Sequence, residues 1–272
     1  MWKLGYMVSR IGTMTDFRTQ LDWLRDAGFQ AVQIGAGAGA GDLPCGLDPS
    51  QLDAKARQTV KDQLARFPVF ELHAMTPLPP QEPLAAVEGF VPLIELAAEV
   101  GASILTIHGH APDRQAGRDN AVWRKAVERL DALAGEAGVL IGLENLPEYE
   151  AFRGPRRPNV GVTLDIGHAR LDMGHCWPGT LGDLVRYLGD TLVHMHVHDF
   201  DGTTVPLPDG KVHDHQELGT GVIDFDDLLR ALAEVQYQGA LLLELNENHV
   251  SPEAIIRNRD WLQSKIAALG FG

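Results

Sequence analysis

The chain has 272 residues, 44% hydrophobic and 22% charged, enough apolar material for a full core and too little bias for a disordered or fibrous chain. Its 37 acidic against 23 basic residues leave a formal charge of −14, which opposes broad attraction to nucleic acid or anionic lipid and favours metal ions and small polar ligands. Cys45 and Cys176 imply no disulfide framework, the opening MWKLGYMVSRIG has no apolar signal region, and no apolar run reaches membrane-spanning length, so the cytoplasm is the expected location.

Along the chain, short β-type runs alternate with stretches of helical period. A first strand is expected in KLGYMVS and a helix over 15–27, then a strand in AVQIG and a helix over 49–66, for which Ser50 is a plausible cap. The GAGAGAGD stretch after the second strand offers neither G-x-G-x-x-G nor G-x-x-x-x-G-K-[ST], and reads as an active-site loop rather than a phosphate cradle. VFELHA leads to a helix over 82–100, where Leu93, Leu96, Ala97 and Val100 keep three- and four-residue spacing; ILTIHG leads to a helix over 119–137. Gly28, Gly101 and Gly138 follow helices where a left-handed residue is wanted.

After LIGLEN the rhythm changes. The prolines and glycine of NLPEYEAFRGPRRPNVGVTL leave no room for a full crossover helix, so a short connection is expected between the fifth and sixth strands. VGVTLD then precedes a helix over 179–189, LVHMHVHD precedes one over 224–234 with Asp224 as its cap, and LLLELN precedes a last one over 252–268. Eight βα units in one chain of this length favour a closed (β/α)8 TIM barrel, taken as one domain over 1–272, over an open doubly wound sheet.

None of the eleven histidines falls in an expected helix. His73, His108 and His168 sit at or just after strand ends, His194, His196 and His198 lie on the seventh strand, and His110, His175, His213, His215 and His249 occupy following loops. That clustering selects the face on which barrel enzymes carry their sites. Alternation sends His194, His196 and His198 to one side, but two pleats separate the outer pair by roughly 13 Å, so one ion cannot take all three. His194, deepest on its strand, reads as a hydrogen-bonded core residue.

Glu144, Asp165 and Glu244 each close an otherwise apolar strand, where a charge is costly unless paired or coordinated. Few Lys or Arg sit on the same face to pair them, so Glu144, Asp165, His196 and Glu244 are expected to hold a divalent cation, with Zn, Mn, Fe or Co suiting imidazole and carboxylate.

The motifs ELHA, TIHG, GLEN, TLDIGHARL, HMHVHD, DHQELGTGVIDF and LLLELNE resemble those of the xylose-isomerase-like barrel superfamily over nearly the whole chain. That superfamily holds sugar isomerases and epimerases, inosose dehydratases and the endonuclease IV group. In its ketose epimerase branch the resemblance implies one metal on Glu144, Asp165, His196 and Glu244, and His168 on the substrate. Glu144 and Glu244 then act as proton-transfer groups through an enediolate. A polyol dehydratase would begin with the same proton abstraction.

In the nuclease branch the resemblance implies further metal or substrate contacts from His73, His108, His168 and His215. The chain departs from that branch at His213, where the family has Asp, and in the curtailed loop after Glu144. Arg153, Arg156 and Arg157 form the one compact basic cluster, a candidate phosphate holder expected near the mouth. The expectation is an isomerase or epimerase of a small sugar or sugar phosphate with one metal ion, a second ion and a homo-oligomer being left open. An endonuclease IV-like phosphodiesterase is the alternative, since a duplex would need more cationic contacts than this acidic chain provides.

Overall fold

The computed structural model describes residues 2–8, 11–38, 40, 45–79, 82–109, 120–144, 156–170, 177, 179–203, 214–246 and 250–271. Eight parallel strands close in sequence order: β1 (Lys3–Met7), β2 (Ala31–Ala36), β3 (Val69–Ala74), β4 (Ile104–His108), β5 (Ile141–Glu144), β6 (Val160–Asp165), β7 (Leu192–Val197) and β8 (Ala240–Leu243). β8 returns to pair with β1, so the barrel expected from the alternation is formed.

Each strand divides its side chains between two environments, as the two-residue period requires. Outward, Leu72, Leu105, Ile107, Leu143, Leu164 and Met195 are wholly buried and share one apolar core with Leu21, Leu24, Leu96 and Leu130 of the surrounding helices. Burying a side chain of this kind contributes about 1.5–3 kcal/mol, so the barrel is held together largely from its outer wall. Inward, the lateral partners Gln33↔Glu71, His73↔Thr106, His108↔Glu144 and Asp165↔His196 project to one side and place polar groups in the lumen. Glu71 on β3 reaches His194 and His196 on β7, strands that are not neighbours, which is a contact across that lumen.

The helices differ from the sequence expectation at their ends, for local reasons. The second helix runs Ala54–Leu64, and Asp53 rather than Ser50 caps it by accepting from the Ala56 N–H; Ser50 instead donates its N–H and hydroxyl to Asp48. The stretch 82–100 is not one helix. Pro83–Ala86 and a 3₁₀ turn over Val87–Phe90 precede a helix over Val91–Val100 with Pro92 in its first turn, because proline lacks the N–H and crowds the carbonyl four residues back. Asp224 caps Phe225–Glu234 as expected, accepting from the Asp226 and Asp227 N–H groups. Gly28, Gly101 and Gly138 all take positive φ, at 82°, 79° and 69°. The curtailed connection after Glu144 and most of GAGAGAGD lie outside the described residues.

Candidate metal centre

The C-terminal ends of β5 to β8 build the site. Glu144 is the last residue of β5 and Asp165 of β6, His196 is the penultimate residue of β7, and Glu244 directly follows β8. Side-chain alternation turns all four to the lumen, where each is at most 5% exposed. His196 Nδ1 stands 3.5 Å from Glu144 Oε1 and 3.5 Å from Glu244 Oε1. Glu144, Asp165 and His196 offer ligand atoms within 4.8 Å of one another. Among the described residues their ion-pair partners are imidazoles, with no Arg or Lys.

The orphaned atoms test whether these residues suit an ion. His196 Nδ1, Glu144 Oε2 and Asp165 Oδ2 are buried and make no hydrogen bond. Leaving such groups unpartnered costs about 1–3 kcal/mol each, more when charged. Two ligands held at about 2.1 Å from one ion lie roughly 3.0–3.5 Å apart, which matches close approaches that lack hydrogen-bond geometry. The remaining lone pairs are already committed: Asp165 Oδ1 accepts the His168 N–H at 2.8 Å and the His198 ring N–H at 2.9 Å, leaving Oδ2 to face the pocket. The donor set is of the N/O type that divalent first-row metals take. The residues therefore fit the group.

Three further groups adjoin this one among the described residues, the deepest being Glu71, His73 and His196. His73 Nε2 and His108 Nε2 each lie 3.1 Å from Glu144 Oε2, and the three residues form a second candidate ligand group. On the other flank, Asp165, His168, His198 and His215 converge; His215 stacks on His198 with centroids 3.9 Å apart, and its N–H donates to His198 Nδ1. Since His198 Nδ1 accepts, the proton of that ring sits on Nε2 and is given to Asp165. Gly167 makes room for the ring: a Cβ there would stand 1.9 Å from His198 Cε1. A short helical turn over 166–170 follows Asp165 directly and carries His168, the one site histidine that the strand-and-loop reading did not expect in a helix.

Electrostatics in the metal-free chain follow from this crowding. Burial alone would raise Glu144 and Glu244, but the charge of His196, and then the other rings close by, hold both well below the usual carboxylate range. Burial also works against Asp165, yet the charge of His168 and the hydrogen bond from His198 keep it at about 2. The rings respond oppositely. Burial would lower His73 and His215, but close carboxylates, chiefly Glu144 and Asp214 respectively, lift them to about 10 and about 9. His168 and His196 also lie well above the imidazole range, lifted against burial by Asp165 and Glu244 respectively. Protons thus supply the positive charge that a divalent ion would otherwise bring.

The structure brings together Glu144, Asp165, His196 and Glu244, and beside them His73, His108, His168 and His215. His194 is a core residue bonded to Glu71, as its depth suggested. His213 and Arg153 lie outside the described residues, as do His110, His175 and His249. Arg156 and Arg157 are not at the mouth: they stand just before β6, whose first residue lies roughly 16 Å of extended strand from Asp165. The expected phosphate site there is therefore corrected, since a strand traverses the barrel between these arginines and the cluster.

Four residues of the site escaped the sequence reading. Gln33 and Glu71 were visible as polar residues at inward positions of apolar strands, Glu71 sharing a face with His73 two residues on. His198 was read as a strand residue only. Asp214, which joins His168 Nε2 at 3.2 Å and His215 Nδ1 at 3.3 Å, was hidden between His213 and His215.

Comparison with known proteins agrees with this architecture. Residues 21–265 match the family model of the xylose isomerase-like TIM barrel. The chain is 28% identical over 171 residues to an uncharacterized protein of Methanocaldococcus jannaschii, covering 57% of this chain and 54% of that protein, so it spans about half of that relative's length. It is 24% identical over 257 residues to the ketose 3-epimerase of Arthrobacter globiformis, covering 84% of this chain and 78% of the relative. Among solved structures, a D-tagatose 3-epimerase-like protein superposes with a TM-score of 0.71 at 21% identity, covering 98% of each chain.

Proposed function

Since the chain belongs to the xylose isomerase-like TIM barrel family, we propose that it is a divalent-metal-dependent sugar epimerase or isomerase acting by proton transfer. The observation that carries this reading is the placement of Glu144 and Glu244 on either side of His196 Nδ1, each at 3.5 Å. Support comes also from the 3-epimerases that the chain is similar to in sequence and fold.

Glu144, Asp165, His196 and Glu244 would hold the metal, which when bound polarises a substrate carbonyl and its neighbouring hydroxyl. The remaining work belongs to the chain. β5 and β8 are separated by β6 and β7, so Glu144 and Glu244 enter the pocket from different sides. One carboxylate takes a proton from carbon and the other returns it to the opposite face, with an enediolate between the two transfers. His73 and His108, both 3.1 Å from Glu144 Oε2, can accept or return the proton that Glu144 carries. His168, a quarter exposed, is placed to contact a substrate hydroxyl. A sugar without phosphate fits better, because Arg156 and Arg157 stand away from the mouth. Dehydration of a polyol ketone would share the first step.

The test is exchange of substrate C–H with solvent. A ketose incubated with metal-loaded protein in D2O should take up deuterium at the epimerised carbon. Glu144→Gln and Glu244→Gln should each lower that uptake by at least about 100-fold, the usual weight of a positioned acid or base, with the fold retained. Uptake unchanged in both variants would reject the proton-transfer roles.

A second reading, a multi-metal phosphodiesterase, draws on the two flanking groups, His73–His108–Glu144 and Asp165–His168–His198–His215. The charge of −14 weighs against a duplex substrate. Incubation of an abasic-site duplex with Zn- or Mn-supplied protein separates the two: cleavage would favour the nuclease, and its absence removes it.

A further inference from the structure

Directly beneath the metal cluster lies a layer of buried polar residues that the proposed reaction does not use. Glu71 is wholly buried on β3, with the rings of His194 and His196 from across the barrel and His73 of its own strand about it. His194 Nε2 lies 2.9 Å from Glu71 Oε2, and His196 Nε2 lies 3.0 Å from Oε1 and 3.2 Å from Oε2. An ionised carboxylate only accepts, so both imidazoles present Nε2–H to it.

Gln33 closes the alternative. Its amide nitrogen also lies 3.4 Å from His196 Nε2, but it approaches Glu244 Oε1 and, at 2.6 Å, His73 Nδ1 more closely. With Nε2 committed to Glu71, Nδ1, the orphaned atom that faces Glu144 and Glu244, is the nitrogen left for an ion once its proton is displaced.

We propose that Glu71 is a positioning residue that fixes His196 as an Nδ1 metal ligand, with His194 as the second donor that holds the carboxylate in place. The inference rests on the metal reading above. An imidazole ligand whose far N–H is bonded to a carboxylate is oriented and made more basic, and loss of such a partner lowers metal affinity by roughly 10- to 100-fold. His194 adds specificity of orientation: bonded to Oε2, it stops the carboxylate from turning away from His196, whose ring is 5.4 Å from its own.

Calorimetric titration of metal-free wild-type and Glu71→Gln protein with Mn2+ or Co2+ tests this. An amide can accept through one oxygen only, so the variant should bind roughly 10- to 100-fold more weakly. The visible absorption of its Co2+ form should change, and Glu71→Asp should recover part of both. Unchanged affinity together with an unchanged Co2+ spectrum would overturn the proposal.

Long-range 1H–15N spectra of the wild-type protein decide the matter even if Glu71→Gln fails to fold. In Zn2+-loaded protein His194 and His196 should both keep the proton on Nε2 while Nδ1 of His196 takes the metal shift; a metal shift at His196 Nε2 instead would overturn it. A wild-type chain that takes up no divalent ion would sink the metal reading instead, and a His196 without a proton on Nε2 in that chain would still overturn the role of Glu71.

Discussion

At the scale of single residues, protons occupy the lone pairs that the proposed metal ion would need. In the metal-free chain His73 and His215 hold protons up to about 10 and about 9, above the ordinary value of 6.5. Their contribution to stability is fully present below 6.5 and is lost as pH rises through 9 to 10. Glu144 and Glu244, lowered from 4.5, contribute above 4.5 and lose that contribution as pH falls through their depressed values. Stability of the metal-free chain is therefore expected to be flat between about 4.5 and 6.5 and to decline toward pH 10, as read from denaturant midpoints across pH. Metal entry must expel these protons, so affinity should rise with pH, and calorimetry in buffers of different ionisation enthalpy should record net proton release. Binding without proton release would contradict the assignment of the rings as proton holders.

At the scale of elements, caps and loop clamps decide what reaches the mouth. Asp199, wholly buried after β7, accepts N–H bonds from Phe200, Gly219, Gly221 and Ile223, and so pins the segment that delivers Asp214 and His215. Asp199→Ala would orphan those donors. It should cost about 3 kcal/mol and weaken metal retention, measured by chemical denaturation and by chelator competition. The second helix separates the sequence reading from the structure: Asp53→Ala should cost about 1 kcal/mol while Ser50→Ala stays within about 0.5 kcal/mol. Equal effects would mean that the helix begins earlier than Ala54.

At the scale of the whole molecule, closure of the barrel assembles the candidate centre, since the four residues proposed to hold an ion come from the ends of four strands. An unfolded chain scatters them, so an ion binds the folded state alone and stabilises it by mass action. At a free metal concentration 100-fold above Kd the gain is about 2.7 kcal/mol, which should raise the thermal midpoint and be reversed by a chelator. No helix among the described residues is long and apolar enough to cross a membrane.

The alternation of strands and helices was legible because each element declares itself in its own period. So were Glu144, Asp165 and Glu244, each a charge at the end of an apolar strand. The sequence by itself determined the barrel and which acidic and imidazole side chains gather at the C-terminal ends of its strands, since both follow from local pattern and the two-residue alternation.

Only the tertiary structure decided what stands opposite what. Closure sets β3 against β7 and brings Glu71 to His196 across 125 residues, and it carries Arg156 and Arg157 to the far end of a strand that the sequence reading had put beside the site. Distances across a lumen depend on strand number and register, and no local period encodes them.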